Sequence, residues 1–277
     1  YLDWQLPRWS GFYQLCTAII QHHCLSDGKT MEYKYLKEQL LSMFDSDKLH
    51  LFPEEWGFFN ETERDIKRIG YATNLTGEII ERAREKEVDF LLTHHDSWEF
   101  IYGLKELCNK MLREAGMTHA FFHAPLDDAD FGTSASLAQA LGMKGCKKVM
   151  PYREQYYGGV AGEIVPTDFE SFAASLSHIL QENVRCHRNN DRPVCRIAVA
   201  AGGGNMTSDM RAAVELGCDT YVTGEYALYS QQYAGFCGMN LFVGSHTNTE
   251  ILGVKSMAER LTCGGRIELI RIREPND

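Results

Sequence analysis

Residues 68–96, RIGYATNLTGEIIERAREKEVDFLLTHHD, have a second version at 196–226, RIAVAAGGGNMTSDMRAAVELGCDTYVTGEY. Arg68 and Ile69 align with Arg196 and Ile197, and Ala83, Glu85, Asp89 and Thr93 align with Ala213, Glu215, Asp219 and Thr223; a small insertion in the glycine turn at 202–204 absorbs the change in offset. Each copy reads as a strand, an amphipathic helix with a solvated acidic and basic face, and a second apolar strand. A duplicated βαβ unit implies parallel pairing with a right-handed crossover. The expected class is α/β, built as two similar lobes.

Working outward, residues 31–44 place Tyr35, Leu36, Leu40, Leu41 and Phe44 at helical spacing, and 53–63 form a connection rich in acidic and aromatic residues. Residues 99–115 read as a helix on Tyr102, Leu104, Leu107, Met111 and Leu112, closed by Gly116; THAFFH at 118–123 is a strand that Pro125 ends. Helices are expected at 134–141 before Gly142, at 168–182 after an Asp168 cap, and at 250–261. YGGVAGE at 157–163 reads as a glycine-rich turn into a strand, and 241–244 as a strand leading to His246. The expected division is an unassigned segment 1–30, a first lobe 31–145 and a second lobe 146–277 whose part beyond about 240 packs back on the first.

With 44% hydrophobic and 24% charged residues, the chain has the composition of a soluble globular protein large enough for a sizeable core. A formal charge of −10 makes a nucleic-acid backbone an unlikely main partner, since phosphate binding needs clustered Lys and Arg. Nine cysteines, odd in number and without a C-x-x-C pair, point to reduced thiols, mostly small core residues, and to a cytoplasmic setting. No apolar run reaches the roughly 18 residues of a membrane span, and no signal peptide is visible ahead of residue 30.

His94 and His95 stand side by side past FLLT, where a buried strand end can hold neutral imidazole for a divalent cation. A second pair, His22 and His23 before Cys24, has no such setting. The duplication sets His94 and His95 opposite Gly224 and Glu225, all at carboxyl ends of parallel strands, where open α/β sheets bind ligands. His246 and Glu250 stand at i, i+4 and share one face if the first helical turn includes His246. Asp127 is read in a loop, its carboxylate free to turn toward a site or to cap a helix; His123 is either a further imidazole there or a partner of Asp127. The glycines at 202–204 are either a simple tight turn or a close approach of backbone to a metal-bound ligand, and fit neither a Walker loop nor G-x-G-x-x-G. No Ser-His-Asp or Cys-His arrangement is visible by spacing.

THH at 93–95, HAPLD at 123–127, YGGVAGE at 157–163, AAGGG, TGE at 223–225 and GSHTNTE at 244–250 together resemble the NIF-three-like proteins, also called dinuclear metal-centre hexameric proteins or GTP cyclohydrolase type 2 homologues. The resemblance runs from about residue 31 onward. It implies a cleft between the two lobes holding two divalent metal ions, a toroidal homo-hexamer built as a trimer of dimers, and a ligand set of His94, His95, Asp127, His246 and Glu250. Asp96 departs from the family's usual Pro, and Glu225 from its usual Asp. Asp96 either adds a carboxylate to the site or caps the next helix.

Three imidazoles and two carboxylates leave open positions on two ions, and N and O ligands without thiolate suit Zn, Fe, Mn, Co or Ni. The leading expectation is a metal-dependent hydrolase acting on a small molecule, a purine nucleotide or another phosphorylated heterocycle. Glu225 and His123 are its candidates for proton transfer or for support of the ligands. The alternative is a non-catalytic metal-binding scaffold, a metal-delivery protein or a regulatory interaction protein.

Overall fold

The computed structural model describes residues 30–153, 155–262 and 267–274; the segment 1–29, with His22 and His23, lies outside them. In chain order the elements are α1 (Tyr33–Ser42), α2 (Ser46–Leu51), a single 3-10 turn (Pro53–Glu55), β1 (Trp56–Phe59), β2 (Arg68–Ala72), α3 (Gly77–Glu85), β3 (Phe90–Thr93), α4 (Leu104–Ala115) and β4 (Thr118–Phe122). There follow α5 (Ala124–Asp128), α6 (Thr133–Ala140), β5 (Lys144–Arg153), β6 (Tyr156–Thr167), α7 (Phe169–Leu180), β7 (Arg185–His187) and β8 (Val194–Ala200). The chain closes with α8 (Thr207–Glu215), β9 (Thr220–Thr223), α9 (Leu228–Cys237), β10 (Asn240–Val243), α10 (His246–Leu261) and β11 (Glu268–Arg271). The fold is α/β with two sheets, ordered β1-β4-β3-β2-β11 and β5-β6-β8-β9-β10-β7.

The duplication is visible in the registers. β2 pairs parallel with β3, from Ile69 opposite Phe90 to Ala72 opposite Thr93, and β8 pairs parallel with β9, from Ile197 opposite Thr220 to Ala200 opposite Thr223. The aligned aspartates do the same work in both copies. Asp89 accepts from the amides of Lys67 and Arg68 at 2.9 and 3.0 Å, and Asp219 accepts from those of Cys195 and Arg196 at 3.2 and 2.7 Å. Each carboxylate closes its helix-to-strand turn onto the start of the neighbouring strand.

Both sheets are covered on both faces, which is why their central strands read as unbroken apolar runs. In the first sheet Ile69, Tyr71, Phe90 and Leu92 face α1 and α10, while Ala72 and Leu91 face α3 and α4. In the second, Ile197, Val199, Val222 and Phe242 face α6 and α7, while Ala198, Ala200, Tyr221 and Leu241 face α8 and α9. Although α10 follows a strand of the second sheet, its Ile251, Val254, Met257 and Leu261 are buried in the first core. β11 then joins the first sheet beside β2.

Several expectations are corrected. Residues 53–63 are not a plain connection: they contain β1, an edge strand antiparallel to β4. Its four residues are all half-buried, so no alternation announces it. Residues 157–163 are not a turn but part of the twelve-residue β6, which pairs with β5. Residues 99–103 precede α4 rather than belonging to it, and Tyr102 is 99% exposed. Asp127 lies in the short α5, where Pro125 occupies the first turn, and α10 begins at His246 rather than at Glu250. All cysteines among the described residues are free, but only Cys108 and Cys218 are buried. Among those residues, no helix is long and apolar enough to cross a membrane.

Gly253 fixes how α10 meets α6. A Cβ there would stand 2.5 Å from the Thr133 amide nitrogen and 2.6 Å from the Gly132 carbonyl carbon, so two backbones touch. Replacing a helical glycine with alanine gains up to about 1 kcal/mol in propensity, but forced overpacking costs about 1–3 kcal/mol. Gly253→Ala is therefore expected to lower stability in denaturant titration. A stabilised variant would show that the helices are not in this contact.

Candidate metal centre

The carboxyl ends of β3, β4 and β10 converge, and each is followed by polar residues that reach one place, while β8 brings the glycine turn at 202–204 against it. Past β3, the carbonyl of Thr73 accepts both the His94 and the His95 amides, at 3.1 and 2.9 Å, which bends the chain and lets adjacent imidazoles splay. Thr93 locks this bend by donating its hydroxyl to the His95 carbonyl at 2.6 Å. That uses its only proton, so the 2.8 Å contact with His119 Nε2 runs from the imidazole to the hydroxyl oxygen. Burial holds His119 neutral, at a pKa of about 4.

Four imidazoles are held from behind through Nδ1. His94 donates to the Phe122 carbonyl at 2.9 Å, His95 to Asn74 Oδ1 at 2.8 Å, His246 to Glu225 Oε1 at 2.8 Å and His123 to Glu55 Oε2 at 2.6 Å. These partners fix the Nδ1–H tautomer and leave Nε2 as the ligating atom, the usual arrangement behind metal-bound histidine. His94 Nε2, His95 Nε2 and Glu250 Oε2 are buried polar atoms without a hydrogen-bond partner. Leaving such atoms bare costs about 1–3 kcal/mol each, and more for a charge.

Glu250, 3% exposed, lies among three of these rings. His94 Nε2 is 3.5 Å and His246 Nε2 3.1 Å from its Oε1, and His95 Nε2 is 3.6 Å from its Oε2. Asp127 Oδ1 lies 3.4 Å from His94 Nε2 and takes a hydrogen bond from the Thr133 hydroxyl at 2.6 Å. Most of these separations are long for hydrogen bonds and resemble the roughly 3.3 Å between ligand atoms held about 2 Å from one tetrahedral ion. Among the described residues, three sets have ligand atoms all within 4.8 Å: His94, Asp127 and Glu250; His95, His246 and Glu250; and His94, His95 and His123. The donor set therefore fits a metal.

The electrostatics describe a site short of positive charge. Burial opposes a charged His94, but Asp127 and Glu250 outweigh it and lift its pKa to about 9; burial likewise opposes His246, which Glu250 and Glu225 lift to about 9. Burial also works against ionised Glu250, yet His94, His95 and His246 hold its pKa well below the usual carboxylate range. Burial raises Asp127 and pushes His95 well below the ordinary imidazole value.

All five residues expected as ligands come together, with His123 beside them. Glu225 stands behind His246, with 43% of its side chain exposed, and does not join the converging atoms. Asp96 turns away, accepting from the Ser97 amide at 2.7 Å and facing Lys105 at 3.4 Å, so it adds no carboxylate to the centre. The sequence reading missed Asn74, Glu55 and Thr133. Asn74 had one signal, since it aligns with the glycine turn of the second copy. A cavity of about 340 Å3 opens onto the centre, lined by His95, His123, Asp127, His246 and Glu250 together with Trp98, Met150 and Met206.

The glycine turn packs on the centre itself. Gly202 has φ +66°, and a Cβ there would fall 1.8 Å from Glu250 Oε1 and 2.9 Å from His246 Nε2. Gly202→Ala is expected to displace that carboxylate and weaken metal binding by about 10–100-fold, the range seen when a ligand's support is lost. Calorimetric titration with Zn checks it; unchanged affinity would show that the turn does not set the carboxylate.

Solved structures share the fold. Reduced HcgD from Methanocaldococcus jannaschii superposes with a TM-score of 0.75 at 23% identity, covering 88% of this chain and 99% of that one. The Bacillus cereus protein related to NIF3 gives 0.74 at 15% identity, covering 90% and 98%. In sequence, a Haemophilus influenzae protein named GTP cyclohydrolase 1 type 2 homolog is 28% identical over 237 residues, 81% of this chain and 91% of the relative. Residues 55–277 match the family model Duf34/NIF3 (NGG1p interacting factor 3), and the chain belongs to that family.

Proposed function

We propose that this chain binds two divalent ions, one on His94, Asp127 and Glu250 and the other on His95, His246 and Glu250, and uses them to hydrolyse a small nucleotide-like or phosphorylated heterocycle. The observation that carries the reading is the set of bare buried atoms, His94 Nε2, His95 Nε2 and Glu250 Oε2, around a carboxylate common to both groups. Bound there, the ions would supply Lewis acidity and acidify water near neutral pH. Asn74 and Glu225 hold their imidazoles in place, and His123 faces the cavity as the group able to move a proton. Glu225 is thus an orienting partner of His246 in this reading, not the base. The family resemblance adds a homo-hexamer, and the relatives' GTP cyclohydrolase 1 type 2 homolog name supports the substrate class.

One observation favours a second reading, a non-catalytic metal carrier or scaffold. Among the described residues lining the cavity there is no Lys or Arg, so no ammonium or guanidinium there would meet a phosphate.

Metal analysis is expected to give two equivalents for the wild type and fewer than one for Glu250→Gln. Asp127→Asn and His246→Asn should each retain one. Two retained equivalents in Glu250→Gln would sink the shared-carboxylate assignment. With both ions in place, His123→Ala should lower turnover of nucleotides by about 100-fold or more, and no turnover by the loaded wild type favours the carrier. Light scattering at a monomer mass would overturn the hexamer.

A further inference from the structure

Glu274 lies beyond β11, outside every group of candidate ligands, and its carboxylate is turned onto the loop behind His95. Its Oε1 accepts the backbone amides of Thr73 and Asn74, both at 3.0 Å, and its Oε2 accepts Asn74 Nδ2 at 2.7 Å. Thr247, next to His246, also contacts this carboxylate at 3.5 Å and accepts from Asn74 Nδ2 at 3.2 Å. Asn74 Oδ1 then accepts the Nδ1–H of His95 at 2.8 Å.

The chemistry of this chain of contacts is directional. A side-chain amide has a donor end and an acceptor end and can present either by a flip. An ionised carboxylate only accepts, so Glu274 Oε2 draws the amino end of Asn74 to itself and leaves the carbonyl end for His95. A carbonyl facing His95 requires Nδ1–H, and Nδ1–H leaves the lone pair on Nε2. The opposite flip would put an amino group against Nδ1 and favour the Nε2–H tautomer, whose Nε2, the nitrogen facing the centre, has no lone pair to ligate with.

We propose that Glu274 is a positioning residue of the metal centre, setting the amide orientation of Asn74 and through it the ligating tautomer of His95. The proposal rests on His95 being a ligand, as in the function proposed above. In the second half of the duplication the same task is simpler, because Glu225 is a carboxylate acting directly on Nδ1 of His246. In the first half an amide stands between carboxylate and imidazole, and its polarity has to be set from outside.

The decisive variant is Glu274→Gln, which keeps the volume and one acceptor for the two backbone amides but places an amino group opposite Asn74. Zinc titration is expected to show one of the two equivalents weakened by about 10–100-fold, with the melting temperature of metal-free protein little changed. Nitrogen-15 spectra of His95 should move from the Nδ1–H tautomer toward Nε2–H. Adding Asn74→Asp to Glu274→Gln should restore affinity, because the new amino group then donates to a carboxylate that still accepts from His95. Wild-type affinity in Glu274→Gln, or failure of Asn74→Asp to rescue it, overturns the proposal. A lower melting temperature with both affinities intact would leave Glu274 a structural residue only, and also overturns it. If His95→Ala retains both ions, the ligand assignment itself has failed, independently of Glu274.

Discussion

The central constraint in this molecule is a buried carboxylate, Glu250, placed among imidazoles whose free nitrogens point at it. An isolated charge of this kind is expensive to take out of water, and the surrounding structure is arranged to compensate it. Glu250 and His246 sit one turn apart at the start of α10, which Ser245 caps by accepting the Asn248 amide at 3.1 Å. Two βαβ units bring the other groups to the same point by ending their strands there. The backbone geometry at Gly202 and the tight contact at Gly253 are both set by how closely α10 must approach its neighbours.

The two copies of the repeated unit have diverged in a way that suits a shared centre. The first ends in a histidine pair, oriented by Asn74 of the same copy and by the Phe122 carbonyl of β4. The second ends in Gly224 and Glu225: a Cβ at Gly224 would stand 2.4 Å from Thr249 Oγ1, so the glycine lets α10 in, and the glutamate reaches His246. Equivalent strand ends thus hold different halves of one arrangement, candidate ligands on one side and room with support on the other.

Much of the frame was legible in the sequence because doubly covered strands leave an unambiguous mark. FLLT and TYVT are short strands buried along their whole length, each preceded by the same Asp at the turn, and the copies confirm each other. β1 and β5 were not legible: one is a half-buried edge, and the other was not separable from the glycines it pairs with. Within the site, the five candidate ligands could be singled out from residue type and motif, and the fold brings them together. Asn74, Glu55 and Glu274 could not, because an amide or carboxylate acquires its role only from what lies across the fold; Glu274 is 200 positions from the residue it touches.

The pairing of β11 with β2 joins residues 268–271 to 68–71, a separation set by almost the whole described chain. Contacts this remote in sequence close late, after the loop entropy between them has been overcome. During synthesis, His94 and His95 emerge long before the strand that brings Glu274 to their loop, and before the helix that carries His246 and Glu250. A partly made chain therefore displays its histidine pair without the groups that would organise it, and the full convergence of candidate ligands and their supports arises only once β11 has docked.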